Sequence, residues 1–383
     1  MAVRTVRIAW TGALAAVVVA GTALIGPAAA APAPDRSVPA HRAAQRALDA
    51  AVQEGVPGAL AQVTDRKGVW NGNAGVANRT TGRERLPQDR FRVGSVTKTF
   101  VATVLLQLEA EGRVDLDDTV DSVLPGLVRG NGHDGRVITL RQLLNHTSGI
   151  YNYTSDAGFI GKIFGDGFFQ HRYDTWSPRD LVGLALAHQP EFEPGTDWGY
   201  SNTNYVLAGL VIEKVTGRPY ATEIDRRILR PLGLRATSLP GTDARMPHPA
   251  GRAYSKFSQD PAAPVHDVTE LNPTVAGASG AMISTTGDLN RFYSALLKGE
   301  LLPERQLDEM KTTVPLSDGY AYGLGLQSHE LPCGTVVWGH DGGIHGSSSA
   351  AATAVDGTHS VALNYNGDWT GTSDAVMEAE FCG

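Results

Sequence analysis

Arg92-Val-Gly-Ser-Val-Thr-Lys98, continuing into Thr99-Phe-Val-Ala-Thr-Val-Leu-Leu-Gln-Leu-Glu-Ala-Glu111, is the stretch on which the reading of this 383-residue chain turns. Apolar residues recur at helical spacing from Thr97 to Glu111 and Gly112 stops the run, so Ser95 stands at a helix start. Residues three apart on a helix share a face, which brings the Lys98 ammonium within one turn of the Ser95 hydroxyl, beside the backbone donors of the helix N-terminus. Serine is a weak nucleophile until a neighbour takes its proton, and a lysine at this spacing can do so. Composition alone yields an S-x-x-K match about once in a chain of this length. It occurs here only at Ser95, so its surroundings must decide its meaning.

Two other elements supply them. Tyr200-Ser-Asn202 offers a phenol able to exchange protons and an amide able to grip a substrate amide; a buried tyrosine near a turn is the bland alternative. The pattern of His or Lys, any residue, then Gly occurs twice, at His133-Asp-Gly135 and His340-Asp-Gly342. The first lies in the glycine-rich run Gly130-Asn-Gly132-His-Asp-Gly135. That run has no leading strand or following phosphate-facing helix, and reads as a loop rather than a dinucleotide site. The second closes the strand-like run Thr335-Val-Val-Trp-Gly-His340 and leads into Gly342-Gly343, where backbone can approach a substrate closely. His340, Asp341 and His345 lack further ligands at a known spacing, so no metal is expected, nor any other cofactor. No serine sits in G-x-S-x-G.

Composition sets the frame. With 42% hydrophobic and 19% charged residues the chain is globular and long enough for a sizeable core. Its formal charge of -7 argues against a nucleic-acid partner. Arg4 and Arg7, an uncharged run from Ile8 and the small residues Ala28, Ala29 and Ala30 read as a signal peptide over residues 1–30, cleaved after Ala30. An uncleaved membrane anchor is the alternative reading of that run. A secreted, extracellular protein without a stable membrane anchor, acting as a monomer, is the expectation. Export makes Cys333 and Cys382 a candidate disulfide, with two buried thiols as the alternative.

Along the mature chain, residues 31–37 read as a flexible lead-in and His41 to Glu54 as an amphipathic helix. Ala59 to Thr64 and Val69 to Val76 suggest a hairpin. Short helices and loops dominate from 113 to 276, including Leu140 to Leu144, Arg179 to His188 and Asn204 to Val215. A helix at Asp288 to Leu297 is followed by strands at Tyr322 to Glu330, Val336 to His340 and Ser360 to Tyr365, and by a closing helix near Asp374 to Phe381. Strands near both termini predict one antiparallel sheet with flanking helices, an α/β (α+β) fold built from about 38–112 and 277–383. An all-helical lobe at about 113–276 is inserted.

Taken in order, these motifs are those of the serine β-lactamase and penicillin-binding protein superfamily. The chain resembles most the secreted D-alanyl-D-alanine carboxypeptidases of actinomycetes, cousins of class C β-lactamases. The likeness runs through Arg92–Lys98, Leu143-Leu-Asn-His-Thr-Ser-Gly149, Tyr200-Ser-Asn-Thr-Asn204, Tyr322-Gly-Leu-Gly-Leu326 and Gly339-His-Asp-Gly342. It implies a single β-lactamase/transpeptidase-like catalytic domain over 31–383. Ser95 is then the acylated serine, Lys98 its helix partner, Tyr200 the proton shuttle, Asn202 a substrate-amide ligand and His340 a cation on the strand. The N–H groups of Ser95 and Gly343 form the oxyanion hole, and Cys333 and Cys382 fall where the family places a disulfide.

Two positions depart from that pattern. After Leu326 the related carboxypeptidases carry an arginine that holds the substrate's terminal carboxylate, where this chain has Gln327; at Gly343 they carry a threonine that helps bind the same group. Each lost charge-assisted contact is worth roughly 1.5–3 kcal/mol. A free carboxylate and its amide are therefore expected to be accepted about equally.

The first functional expectation is a D-alanyl-D-alanine carboxypeptidase or related D-peptidase acting on a small peptide. An esterase or β-lactamase using the same residues is the alternative, and a non-catalytic penicillin-binding sensor the third. Beside Lys98 and a partly charged His340 the Tyr200 phenol is expected to have a lowered pKa, and either Lys98 or Tyr200 could act as the base.

Overall fold

Ala59, Ala61 and Val63 face one side of their strand and Leu60 the other, the period-two pattern of a strand buried on both faces. A computed structural model describes residues 41–165, 167–258, 260 and 262–383. The expected signal peptide and lead-in lie outside the described residues. Nine strands form one sheet: β1 Gly58–Asp65, β2 Gly68–Asn78, β3 Arg83–Glu84, β4 Val314–Pro315, β5 Tyr320–Tyr322, β6 Gln327–Glu330, β7 Val336–Ile344, β8 Ser347–Ala354 and β9 Ser360–Tyr365. Their spatial order is β4-β5-β6-β7-β8-β9-β1-β2-β3, antiparallel throughout. Pairing of β1 with β9, Ala59 opposite Tyr365 to Thr64 opposite Ser360, joins the two ends of the described chain.

Helices α1 Arg42–Gln53, α2 Thr97–Ala110, α3 Asn202–Thr216, α4 Thr286–Leu297 and α5 Asp374–Phe381 flank or support the sheet. On one face Leu48 of α1 and Val376 and Met377 of α5 pack with Ala59, Ala61, Val63, Val361 and Leu363. On the other, Leu60, Ala351 and Ala362 belong to the larger core that includes Phe100 of α2 and Phe292 of α4, whose rings stack 3.6 Å apart. Burying each of the Leu, Val, Phe and Met side chains among these stabilises the fold by roughly 1.5–3 kcal/mol. Helix α2 is buried from Thr97 through Leu106, which is why its apolar residues surround it instead of forming one stripe.

Several local expectations shift. Tyr322 to Glu330 is broken into β5 and β6 at Gly323–Leu326, because Gly325 at φ 66° lies against Lys98 O and Tyr205 Oη. Strand β7 runs on to Ile344, and β8, absent from the sequence reading, pairs with it. Helix α3 begins at Asn202, two residues early. The segment 113–276 is not all helix: Arg129–Gly130 pairs with His133–Asp134 and Tyr254–Ser255 with His266–Asp267. The Gly130–Gly135 run is thus a tight hairpin, with Asn131 at φ 49°. Cys333 and Cys382 are joined as a disulfide that ties the β6–β7 turn to the end of α5. Among the described residues no helix is long and apolar enough to cross a membrane.

Candidate active site

One 3-10 turn, Gly94–Val96, carries Ser95 into α2. The preceding segment is docked on β8 by Ser347 Oγ donating to Arg92 O (2.7 Å) and Ser349 Oγ to Val93 O (3.0 Å). Gly94 adopts φ 53°, and a Cβ there would lie 2.8 Å from Gly343 O. At Gly342 a Cβ would lie 2.0 Å from Val93 O and 3.0 Å from Ser95 N. Both positions need glycine so that the turn bearing Ser95 can lie directly on β7. Gly343 is different, since a Cβ there would meet nothing within 4 Å.

Beyond Gly339, β7 has no strand partner on the β6 side among the described residues. Asp341 N donates across that edge to Gln327 Oε1 at 3.4 Å. N–H groups two residues apart in a strand point the same way, so Gly343 N–H projects from the open edge as well.

Lys98 Nζ lies 2.9 Å from Ser95 Oγ, 2.8 Å from Asn202 Oδ1 and 2.8 Å from Ser279 O. Burial drives its pKa well below the ordinary lysine value, with the charge of Asp341 opposing in part. The two carbonyl oxygens can only accept. A neutral amine gives them its two N–H groups and keeps its lone pair for the Ser95 hydroxyl. Asn202 is held in turn by Nδ2, which donates to Thr154 Oγ1 (3.2 Å) and Asn152 Oδ1 (3.4 Å). The expected substrate ligand thus also orients the lysine.

Tyr200 places its ring 4.8 Å from Lys98 Nζ and packs on His146 with centroids 4.3 Å apart. Its hydroxyl hydrogen-bonds with Ser95, yet desolvation outweighs that bond and raises the phenol pKa. The lowered value expected from the sequence is therefore corrected: Tyr200 is a protonated phenol.

His340 also departs from expectation. Ser201 N donates to His146 Nδ1 (3.2 Å), which leaves the hydrogen of a neutral His146 on Nε2, facing Tyr322 Oη at 3.2 Å. Tyr322 then donates to His340 Nε2 (2.9 Å), and His340 Nδ1–H to Asp341 O (2.5 Å). Burial lowers the pKa of both histidines below the usual imidazole value. The strand cation of the sequence reading is a buried neutral imidazole, desolvated on all sides and locked into one tautomer.

Ser95 opens into a cavity of about 120 Å³ lined by Asn202, Tyr153, Phe159, Ile163, Phe164 and Ile344, with Gly343 at its edge. Phe164 stacks on His345 at 4.6 Å, and His345 Nε2–H donates to Ile163 O (2.7 Å). His345 is thereby a wall of the cavity, and no metal-binding cluster occurs among the described residues. Gln327 does not line this cavity: its Nε2 donates to Asp341 Oδ1 at 2.9 Å. A second, apolar cavity of about 240 Å³ behind α3 holds none of the expected site residues.

Of the residues expected from the sequence, the structure brings together Ser95, Lys98, Tyr200, Asn202, Gly342 and Gly343, sets His340 behind Tyr322 and Gln327 on Asp341, and adds Ser279, Asn152, His146 and Tyr322, which sequence reasoning does not single out. His146 and Tyr322 stand inside Leu143–Gly149 and Tyr322–Leu326, the stretches that carry the resemblance. Nothing local marks the carbonyl of Ser279.

This arrangement defines a serine hydrolase-type fold. The profile of the Beta-lactamase family matches residues 41–377, and the chain belongs to that family. The crystal structure of a D-stereospecific amidohydrolase from Streptomyces sp. matches with a TM-score of 0.86 and 61% identity, covering 90% of this chain and 99% of that one. A D-amino acid amidase from Ochrobactrum anthropi SV3, complexed with L-phenylalanine amide, matches with a TM-score of 0.76 and 30% identity over 88% of this chain and 97% of that one. Penicillin-binding protein 4* of Bacillus subtilis (strain 168) is 29% identical over 303 residues, 75% of this chain and 63% of that protein. The chain spans less than two thirds of the length of the first two curated relatives it matches.

Proposed function

We propose that this chain is a secreted D-stereospecific amide and ester hydrolase that works through a Ser95 acyl-enzyme. The observation that carries the reading is the desolvated Lys98 Nζ, 2.9 Å from Ser95 Oγ with two carbonyl acceptors occupying its N–H groups. Neutral Lys98 takes the Ser95 proton as Oγ attacks the substrate carbonyl, and the N–H groups of Ser95 and Gly343 receive the oxyanion. As the C–N or C–O bond breaks, Tyr200 protonates the leaving atom and recovers a proton from the Lys98 ammonium. Lys98 then takes a proton from a water that attacks the acyl carbonyl, and its ammonium returns that proton to Ser95 Oγ as the acyl C–O bond breaks and the acid leaves.

The Phe159, Ile163, Phe164 and Ile344 wall suits an apolar side chain on the acyl group. The likeness to the Streptomyces amidohydrolase supports the D configuration and an amide substrate. The disulfide supports export, and the proposed oligomeric state is a monomer.

A D-alanyl-D-alanine carboxypeptidase is the second reading, favoured by the penicillin-binding relatives. Gln327, Gly343 and a neutral His340 leave it without the groups that would hold a terminal carboxylate.

Purified enzyme should be offered D- and L-phenylalanine amide, a D-alanyl-D-alanine peptide, its C-terminal amide and nitrocefin, with Ser95→Ala as control. We expect D-phenylalanine amide to be hydrolysed at least a hundredfold faster than its enantiomer and faster than the free-acid peptide. Equal rates on both enantiomers, or a preference for the free acid, would refute the proposal.

A further inference from the structure

The strand that carries Gly343 leads in two directions from the nucleophile. Toward its C-terminal end, Ile344 and His345 join Phe164 in the apolar wall of the cavity. Toward its N-terminal end lie Asp341, two residues or roughly 7 Å from Gly343 and with its side chain on the same face of β7 as Gly343, and His340, on the opposite face and hydrogen-bonded to Tyr322. If the acyl side chain takes the apolar wall, the leaving group extends the other way, past the proton donor Tyr200 and along the open edge of β7.

That edge is acidic. The Asp341 side chain is 67% exposed, and Gln327 holds it by donating Nε2–H to Oδ1 at 2.9 Å while accepting from Asp341 N at 3.4 Å. Its one ion-pair candidate is His340 Nδ1 at 3.6 Å, whose hydrogen already goes to Asp341 O, and no lysine or arginine pairs with it among the described residues. The charge acts on the reacting groups themselves: it is felt at Lys98 and Tyr200.

We infer that Asp341, fixed by Gln327, is a specificity-determining residue that repels leaving groups bearing a carboxylate and accepts neutral or cationic ones. The inference rests on the Ser95 acyl-enzyme reading. It goes further than the loss of carboxylate ligands, which alone would leave acid and amide equal. An acid at this edge makes them unequal.

The test uses D-phenylalanine aryl esters whose phenol carries a para carboxylate or a para carboxamide, so that the two leaving groups are similar in size and differ in charge. For the wild type we expect kcat/KM to favour the carboxamide ester at least tenfold in 20 mM NaCl, about 1.4 kcal/mol. That ratio should fall at least threefold in 0.5 M NaCl as the charge at the exposed edge is screened. Asp341→Asn keeps an oxygen for Gln327 and removes the charge, and should bring the ratio within threefold at both salt concentrations. A wild-type ratio within threefold, or one that salt and Asp341→Asn leave unchanged, would overturn the inference while leaving the Ser95 reading intact. Hydrolysis by Ser95→Ala as fast as by wild type, or none by wild type, would overturn the reading and the inference together.

Discussion

Lys98 Nζ and Ser95 Oγ face each other at 2.9 Å in a stretch of helix that solvent scarcely reaches. The same burial that depresses the lysine pKa raises that of the Tyr200 phenol beside it, so the two candidate bases separate: the amine is the one that can be neutral and accept a proton.

Activity should therefore follow Lys98 deprotonation. The acid limb of the kcat/KM profile is expected to sit below the lysine reference of about 10.4, with rates rising as pH rises through it. Lys98→Ala should lower kcat by about a thousandfold or more, while Tyr200→Phe should lose less on an aryl ester than on an amide, because phenolate needs no proton to leave. Stopped-flow acylation across pH checks both; an acid limb that survives Lys98→Ala would assign the base elsewhere.

Adjacent glycines on β7 should behave oppositely. A Cβ at Gly342 meets Val93 O at 2.0 Å, whereas one at Gly343 meets nothing within 4 Å. Gly342→Ala is expected to lose at least a hundredfold in activity or to fold poorly, since overpacking costs roughly 1–3 kcal/mol or more against backbone. Gly343→Ala, which keeps its N–H, should stay within about tenfold of wild type. Urea unfolding and ester hydrolysis on both variants would show whether the turn bearing Ser95 rests on Gly342.

Acid should weaken the fold through its buried histidines. His345 is held down to about 4, and burial lowers His146 and His340 as well, whereas unfolded imidazoles bind protons near 6.5. Below that value the unfolded state binds more protons, so stability present at pH 7 is lost as pH falls toward 4. Each histidine contributes at most about 1.4 kcal/mol per pH unit in that window. Urea unfolding at pH 7 and pH 5 should register the loss, and His345→Gln should reduce it; a flat profile would contradict the burial of these groups.

The Cys333–Cys382 bridge closes a loop of sequence separation 49 at the rim of the sheet. Its reduction should destabilise the protein by about 4 kcal/mol on the loop-entropy estimate. Intact mass under non-reducing conditions should find no free thiol, and denaturation with and without reductant gives the magnitude. Two alkylatable cysteines in native protein would count against the bridge.

The helix bearing Ser95 and Lys98, the order of the Tyr200, Asn202 and His340 elements, and strands at both ends of the chain are legible in the sequence because helical spacing and alternation are local properties. Tertiary structure alone decided the charge states. Whether His340 is a cation or Tyr200 a ready base depends on how completely other segments exclude water from them, and those segments lie far away in sequence. His146 is 194 positions from His340, and Ser279 is 181 from the lysine it orients. The sequence likewise shows Gln327 where a cation is absent, but only the pairing of β6 with β7 turns that absence into an acidic edge, by setting Gln327 opposite Gly339 and within reach of Asp341. Register between strands is a property of the assembled sheet, and it gives Asp341 its place at this site.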